Sequence, residues 1–254
     1  MTVRERARFC FVWAIVPLCG VLGVFWLGCS SALDLPDPPL LPPEECYGFG
    51  PPTPNVEQRH TFDENSDVIT NPWLGLGAVG DSYRLLKVRG SGTEPTDVIW
   101  QLSRKERFAG VNCAVVQTIE TKIERQETTV TQELWLAQDT AGNVCLLRWS
   151  GIVDDDWAAD SAEDAYVLFP ANAQAGQVAR YPGEDSYVEI LGFETVGPLS
   201  TGAGPYADCL RIRLTRKNTF ASFRYYEDLW WCAGVGLVKA VEHCWTGASV
   251  ERMP

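Results

Sequence analysis

The feature that most constrains the fold is an alternation of apolar and polar residues with a period of two. Residues 209–215 show it clearly, because Leu210, Ile212 and Leu214 are separated by charged or hydroxyl side chains. Successive side chains of a strand point to opposite faces, so the pattern predicts half-buried β-strands. Residues 111–124 follow the same rule, with one face formed by Val111, Cys113, Val115, Ile119 and Ile123.

About ten strands of this kind fit between residues 81 and 246. Turn-forming sequences separate them, for example at 139–143 and 182–185. No segment shows a sustained helical period, and short connections between successive strands favour a meander. The sequence therefore predicts an all-β fold, either a curved antiparallel sheet or an open β-barrel meander, within a single domain over residues 56–254.

The N-terminus has the pattern of an export signal. Residues 1–8 carry three arginines, and an apolar run follows to Gly28. The run ends in Trp26-Leu27-Gly28-Cys29, where a small residue before the cysteine is similar to a bacterial lipobox. We therefore expect a signal peptide over 1–28 and lipidation at Cys29. An uncleaved membrane anchor and a secreted form cut after residues 30–32 are the alternatives, and all three place the domain outside the cytoplasm.

Residues 29–55 are expected to form a tether between the lipid anchor and the domain. Eight of the 16 prolines lie between residues 33 and 54. Such a composition favours extended polyproline II and a semi-rigid spacer. Ser30 after the cysteine, in place of Asp, indicates sorting to the outer membrane in bacteria that use that rule. The predicted location is therefore the bacterial cell envelope, with an outer-membrane lipid anchor.

The chain has nine cysteines, of which Cys10 and Cys19 lie in the signal. An even number outside the signal and Cys29 favours disulfides in an exported protein. No C-x-x-C spacing occurs, so neither a metal site nor a cofactor is expected. If 208–216 and 223–232 form a hairpin, Cys209 and Cys232 fall near its open end and can bridge. The six disulfide candidates are Cys46, Cys113, Cys145, Cys209, Cys232 and Cys244.

Charge and motifs exclude several functions. A formal net charge of −12 opposes nucleic-acid binding. The run 75–80 matches G-x-G-x-x-G, but a strand follows it where a dinucleotide site needs a helix, so it is interpreted as a loop. The two histidines, His60 and His243, lie in no catalytic motif. Glu227 and Asp228 are adjacent on a strand and so point to opposite faces, which prevents them from acting together on one bond.

Arg211, Arg213 and Lys217 share one face of a predicted strand. They could bind an anion there. Pairing with a carboxylate on the next strand, such as Glu227 or Asp228, is the expected use of these side chains.

Two stretches carry a resemblance to a protein family. Residues 134–144 (LWLAQDTAGNV) resemble an AQD-x-x-GNV hairpin of uncharacterised exported bacterial proteins, and residues 233–238 (AGVGLV) resemble their C-terminal A-x-GVGLV turn. The chain departs from the family at Cys232-Ala233, so a disulfide is expected to brace that turn. The resemblance implies an architecture similar to the curved half-barrels of periplasmic lipoprotein carriers, and it implies no activity.

Together these observations predict a non-catalytic cell-envelope lipoprotein. Its expected partners are the membrane, through the lipid anchor, and a hydrophobic ligand or an envelope protein on the curved sheet. The alternative is an envelope hydrolase that acts on polysaccharide through carboxylates. A purely structural surface protein is a third possibility, and the sequence does not separate it from the first.

Overall fold

A computed structural model describes seven stretches of the chain, residues 53–56, 59–88, 95–151, 156–182, 186–217, 224–243 and 249–254. The predicted signal peptide, Cys29, most of the tether, Cys46 and Cys244 lie outside the described residues. Within them no helix is long and apolar enough to cross a bilayer. One short 3-10 helix covers Ala162–Asp164.

The described residues form thirteen strands in one antiparallel sheet. In chain order they are β1 Ser82–Val88, β2 Thr96–Phe108, β3 Val111–Lys122, β4 Glu127–Gln138, β5 Val144–Gly151, β6 Trp157–Ala158, β7 Tyr166–Phe169, β8 Val178–Arg180, β9 Tyr187–Val196, β10 Tyr206–Lys217, β11 Arg224–Cys232, β12 Gly236–His243 and β13 Ser249–Arg252.

The sheet consists of two meanders joined by the first and last strands. Strands β1 to β5 pair in sequence, as do β8 to β13, and β1 pairs with β13. Strands β6 and β7 both pair with β5, and the sheet stays unclosed. The predicted curved all-β meander is confirmed. The described residues between 81 and 246 form twelve strands against the predicted ten or so, and three of the twelve, β6, β7 and β8, are only two to four residues long.

The main core lies on the concave face of the sheet. The alternation predicted for 209–215 is confirmed, because Leu210, Ile212 and Leu214 are all buried there. The same face receives Leu85 from β1 and Leu136 from β4, so both meanders contribute to it. Burying these apolar side chains is the main favourable term in the stability of the fold.

A second core covers part of the convex face, against the prediction of half-buried strands. Val115 and Val116 of β3 point to opposite faces, yet both are fully buried. The reason is the segment before β1, which crosses β3 to β5 and packs Val56 and Phe62 against them. Backbone hydrogen bonds hold it there, including Gln138 N to Ser66 O and Thr140 N to Thr61 O.

The G-x-G-x-x-G run is a loop that enters β1, and close backbone packing explains its first glycine. A Cβ on Gly75 would lie 2.4 Å from the backbone nitrogen of Gly236, the residue that opens β12. Gly234 N also donates to Pro72 O at 2.8 Å. The two glycine-containing motifs therefore contact each other. The A-x-GVGLV turn joins β11 to β12, and β13 comes after both of them in the chain.

A disulfide joins Cys209 of β10 to Cys232 of β11, across the hairpin and with a Cα–Cα distance of 4.1 Å. Two other disulfide candidates, Cys113 and Cys145, are instead buried free thiols. They lie on β3 and β5 with β4 between them, which separates their Cα atoms by roughly 10 Å. A disulfide needs less than about 7 Å, so these two cysteines cannot pair with each other.

Removing the disulfide in a C209A/C232A variant is expected to lower the free energy of unfolding by about 3 kcal/mol, because the unfolded chain regains loop entropy. Urea denaturation of the variant and the wild type under oxidising conditions measures this difference. A reducing agent should abolish it. A difference that persists in the reducing agent would attribute the loss to packing of the side chains rather than to the bond.

Candidate functional site

The concave face of the sheet holds a cleft of about 260 Å³. This volume is close to the lower limit of roughly 300 Å³ for small-molecule sites. Both meanders line it, since β1 to β5 supply one wall and β9 to β13 the other. The apolar lining residues from these strands are Leu85, Val98, Trp100, Leu134, Leu146, Val188, Ile212, Leu214, Leu229, Trp231, Leu237, Ala240 and Val250.

Aromatic side chains stiffen the floor of the cleft. Trp100 of β2 contacts Trp231 of β11 edge to face, with ring centroids 5.5 Å apart, and Tyr83 stacks on Trp100 at 6.1 Å. Phe169 also contacts Trp231 edge to face, with ring centroids 4.8 Å apart. Such aromatic pairs are more stable than their buried area alone implies. The floor is therefore a fixed apolar surface that spans the two halves of the sheet.

Charged side chains lie at the mouth of the cleft. Lys87 and Glu120 form an ion pair at 3.0 Å and are each about a quarter exposed. Glu227 of β11 and Glu242 of β12 are direct cross-strand neighbours and also line the cleft. Most of the apolar lining residues are almost fully buried, and Trp100, Leu229 and Val250 are partly buried. The cleft is thus apolar at depth and charged at its opening.

Two polar atoms behind the cleft surface lack hydrogen-bond partners among the described residues. They are Oγ1 of Thr118 and Nε1 of Trp231, and both residues line the cleft. A buried polar group without a partner costs roughly 1–3 kcal/mol. The cleft therefore has polar groups in its walls that the folded chain leaves unsatisfied.

Glu227 and Asp228 lie on opposite faces of β11, as expected for neighbours on a strand. Asp228 is 1% exposed on the convex side. Its carboxylate accepts hydrogen bonds from Arg211 Nη2 at 2.7 Å and from Arg213 Nε at 2.8 Å. The predicted pairing of these arginines with a carboxylate is confirmed, and the Lys217 side chain lies outside the described part of the structure.

The environment of Asp228 lowers its pKa. Burial alone would raise it, but hydrogen bonds and charges from Arg213 and Arg211 together favour the ionised form. Arg211 also binds Glu194 at 2.8 Å, and Trp230 Nε1 donates to the same carboxylate at 3.0 Å. The arginine face is therefore an internally paired network, which leaves little positive charge for an external anion.

The AQD-x-x-GNV stretch forms the turn between β4 and β5. Asp139 Oδ1 accepts hydrogen bonds from the backbone nitrogens of Ala141 and Asn143, at 3.0 and 2.8 Å. Gln138 Oε1 accepts from the backbone nitrogens of Thr70 and Asn71, at 2.8 and 2.9 Å. The polar residues of this stretch therefore build the turn and hold the segment before β1.

Among the described residues, one group of side chains could hold a metal ion, and sequence spacing gave no sign of it. His60, Asp139 and Cys145 bring one nitrogen, one oxygen and one sulfur within 4.8 Å of one another. His60 Nδ1 lies 3.1 Å from Asp139 Oδ2 and 3.4 Å from Cys145 Sγ. His60 is 79 residues before Asp139, so only the fold brings them together.

No protein-family model matches the sequence, and no curated protein matches it. Two solved structures are similar in fold over much of the chain. One is a Bacteroides fragilis protein assigned as exported and given a YmcC-like fold, with a TM-score of 0.44, 10% identity and coverage of 71% of this chain and 97% of that one. The other is a Parabacteroides distasonis protein assigned as a lipoprotein, with a TM-score of 0.41, 12% identity and coverage of 68% and 94%. At these values neither says what this chain binds.

Replacing Asp228 by Asn is expected to lower the free energy of unfolding by about 3 kcal/mol, because two arginines then lose a buried anion. The matched control is Asp97→Asn, which removes the partner of the exposed Arg84 and should cost less than about 1 kcal/mol. Urea denaturation at neutral pH measures both. Equal losses in the two variants would contradict the role given to burial.

The lowered pKa of Asp228 also predicts a pH dependence. Its contribution is complete above the unfolded-state pKa of about 3.9 and is lost as the pH falls through the lower folded-state value. The stability difference between wild type and Asp228→Asn should therefore shrink on acidification below about pH 4. A constant difference across that window would contradict this account.

Proposed function

We propose that this protein is a non-catalytic envelope lipoprotein that holds an apolar ligand in the concave cleft. The observation that carries the proposal is the cleft itself, an open cavity of about 260 Å³ with an apolar aromatic floor. A sheet that served only as a scaffold would be expected to fill this space with side chains, as protein interiors are close-packed.

The distribution of polarity favours an amphiphile over a fully apolar molecule. Lys87, Glu120, Glu227 and Glu242 lie at the opening, while the apolar floor lies below. A ligand with one apolar chain and a polar end would place the chain on the floor and keep the polar end near water, which avoids burying a polar group without a partner. The concave shape fits a small molecule better than a flat protein surface.

The N-terminal sequence predicts a location beside a membrane, where a ligand of this kind would be available. The predicted signal over 1–28, lipidation at Cys29 and the proline-rich tether would hold the domain close to a bilayer, where apolar-chain molecules are concentrated. A semi-rigid spacer of polyproline character would set the distance between the domain and the bilayer. We therefore propose that the ligand is exchanged between the cleft and the envelope.

Filling the cleft should weaken ligand binding. Leu229→Trp adds bulk to the floor, and Val130→Trp is the matched control because Val130 is 43% exposed and does not line the cleft. The affinity for a fluorescent fatty acid, measured by titration, should fall about tenfold or more in Leu229→Trp, a loss of about 1.4 kcal/mol, and stay unchanged in the control. Equal affinities in all three proteins, or no binding by the wild type, would contradict the proposal.

A polysaccharide hydrolase is the second candidate, and one observation favours it. Glu227 and Glu242 are cross-strand neighbours in the cleft, and such neighbours have Cβ atoms about 5 Å apart. Side chains that start this close can place their carboxyl groups about 5 to 10 Å apart, the range of carboxylate pairs in glycosidases. The two side chains arise from the same wall, however, whereas a glycosidase places its carboxyl groups on either side of the scissile bond.

The non-catalytic proposal predicts that the purified protein releases no reducing ends from envelope polysaccharide. Colorimetric measurement of reducing ends on wild type, Glu227→Gln and Glu242→Gln provides the test. Release by the wild type that is lost in either glutamine variant would establish the hydrolase instead. Release that persists in both variants would indicate a contaminating activity.

A further inference from the structure

A buried cluster on the other face of the sheet has the donors of a metal site. His60 lies in the segment before β1, Asp139 follows β4 and Cys145 belongs to β5, so three separate parts of the chain meet there. The side chains of His60 and Asp139 are almost completely inaccessible to solvent, and Cys145 is fully buried. The cluster belongs to the convex core and does not line the cleft.

The three donor atoms lie within 4.8 Å of one another, and the two distances from His60 Nδ1 are close to those around a small tetrahedral ion. Metal–ligand distances of about 2.0 Å to nitrogen or oxygen and 2.3 Å to sulfur place neighbouring ligands about 3.3 to 3.6 Å apart. The observed separations from His60 Nδ1 are 3.1 Å to Asp139 Oδ2 and 3.4 Å to Cys145 Sγ. An ion between them would need small movements of the side chains.

We propose that His60, Asp139 and Cys145 form a zinc site. Imidazole nitrogen, thiolate sulfur and carboxylate oxygen are the three donor types that Zn²⁺ takes in proteins. Zn²⁺ with one thiolate and one carboxylate has no net charge, which suits a place where an unbalanced charge is costly. The fourth position falls to a water molecule or to the carbonyl oxygen of Asn143, which lies 3.9 Å from Cys145 Sγ.

Surrounding hydrogen bonds already orient the ligands. The backbone nitrogens of Ala141 and Asn143 hold Asp139 Oδ1, and Asn143 Nδ2 donates to Asp139 Oδ2 at 2.8 Å. Such outer-shell contacts fix the carboxylates and imidazoles of metal sites. The bond from Thr140 N to Thr61 O holds the chain next to His60 against the turn. His60 Nε2 is buried and has no hydrogen-bond partner among the described residues.

Zinc would be held by Nδ1 of His60, a carboxylate oxygen of Asp139 and the thiolate sulfur of Cys145, so the imidazole would carry its proton on Nε2.

The site would fasten the segment before β1 to the β4–β5 hairpin. That segment forms much of the cover over the convex core, so the ion would stabilise the folded state. This inference does not depend on the proposed ligand of the cleft, since no residue of the cluster lines that cavity.

The test is zinc loading of the full chain, followed by removal of free metal, elemental analysis and thermal denaturation. Cys113→Ser is the matched control, because Cys113 is a buried thiol on the same convex core and belongs to no metal-binding group among the described residues. Wild type and Cys113→Ser should retain about one zinc per chain and gain thermal stability from it, and Cys145→Ser should do neither. Retention of zinc by Cys145→Ser, or none by the wild type, would overturn the proposal.

Cobalt provides a measurement that does not require Cys145→Ser to fold. Co²⁺ added to Cys113→Ser should give the near-ultraviolet charge-transfer band of a thiolate ligand and the visible bands of a tetrahedral ion. His60→Ala in the same background should lose the tetrahedral bands. Octahedral spectra in both proteins would overturn the proposal.

Discussion

The pairing of β1 with β13 is the interaction on which the rest of the structure depends. Four residue pairs, from Leu85 with Arg252 to Val88 with Ser249, join a meander of β1 to β5 to a meander of β8 to β13. Without the β1–β13 pairing, each meander would expose an unpaired strand edge and its apolar face. With the pairing, the apolar faces of the two meanders form one concave surface, and residues of both meanders line the cleft.

The two faces of the sheet are then used differently. The convex face is closed over β3 to β5 by the segment before β1, and over β10 and β11 by the network around Asp228. The concave face keeps a cavity with a rigid aromatic floor. The sheet can keep a cleft on its concave face because the main core around that cleft and the covered regions of the convex face bury enough apolar surface to stabilise the fold.

Local patterns in the sequence predicted most of the sheet. Alternation placed Leu210 and Ile212 in the core, and hairpin register brought Cys209 opposite Cys232. Strands of two to four residues, such as β6 to β8, are too short to show a period in the sequence. The site residues depend on contacts between distant segments. Nothing near His60 in sequence indicates that the fold will place it beside Cys145, 85 residues later.

If the cleft of an envelope-anchored domain holds an apolar ligand, that ligand should accompany the protein out of its own membranes. Native mass spectrometry of the protein extracted in mild detergent would detect it. We expect a chain that begins at Cys29 with a covalent diacylglyceryl group and carries a second, non-covalent molecule with an apolar chain. A lipidated chain with nothing bound would contradict the ligand, and a chain that retains Met1 or begins near Leu33 would contradict the anchor.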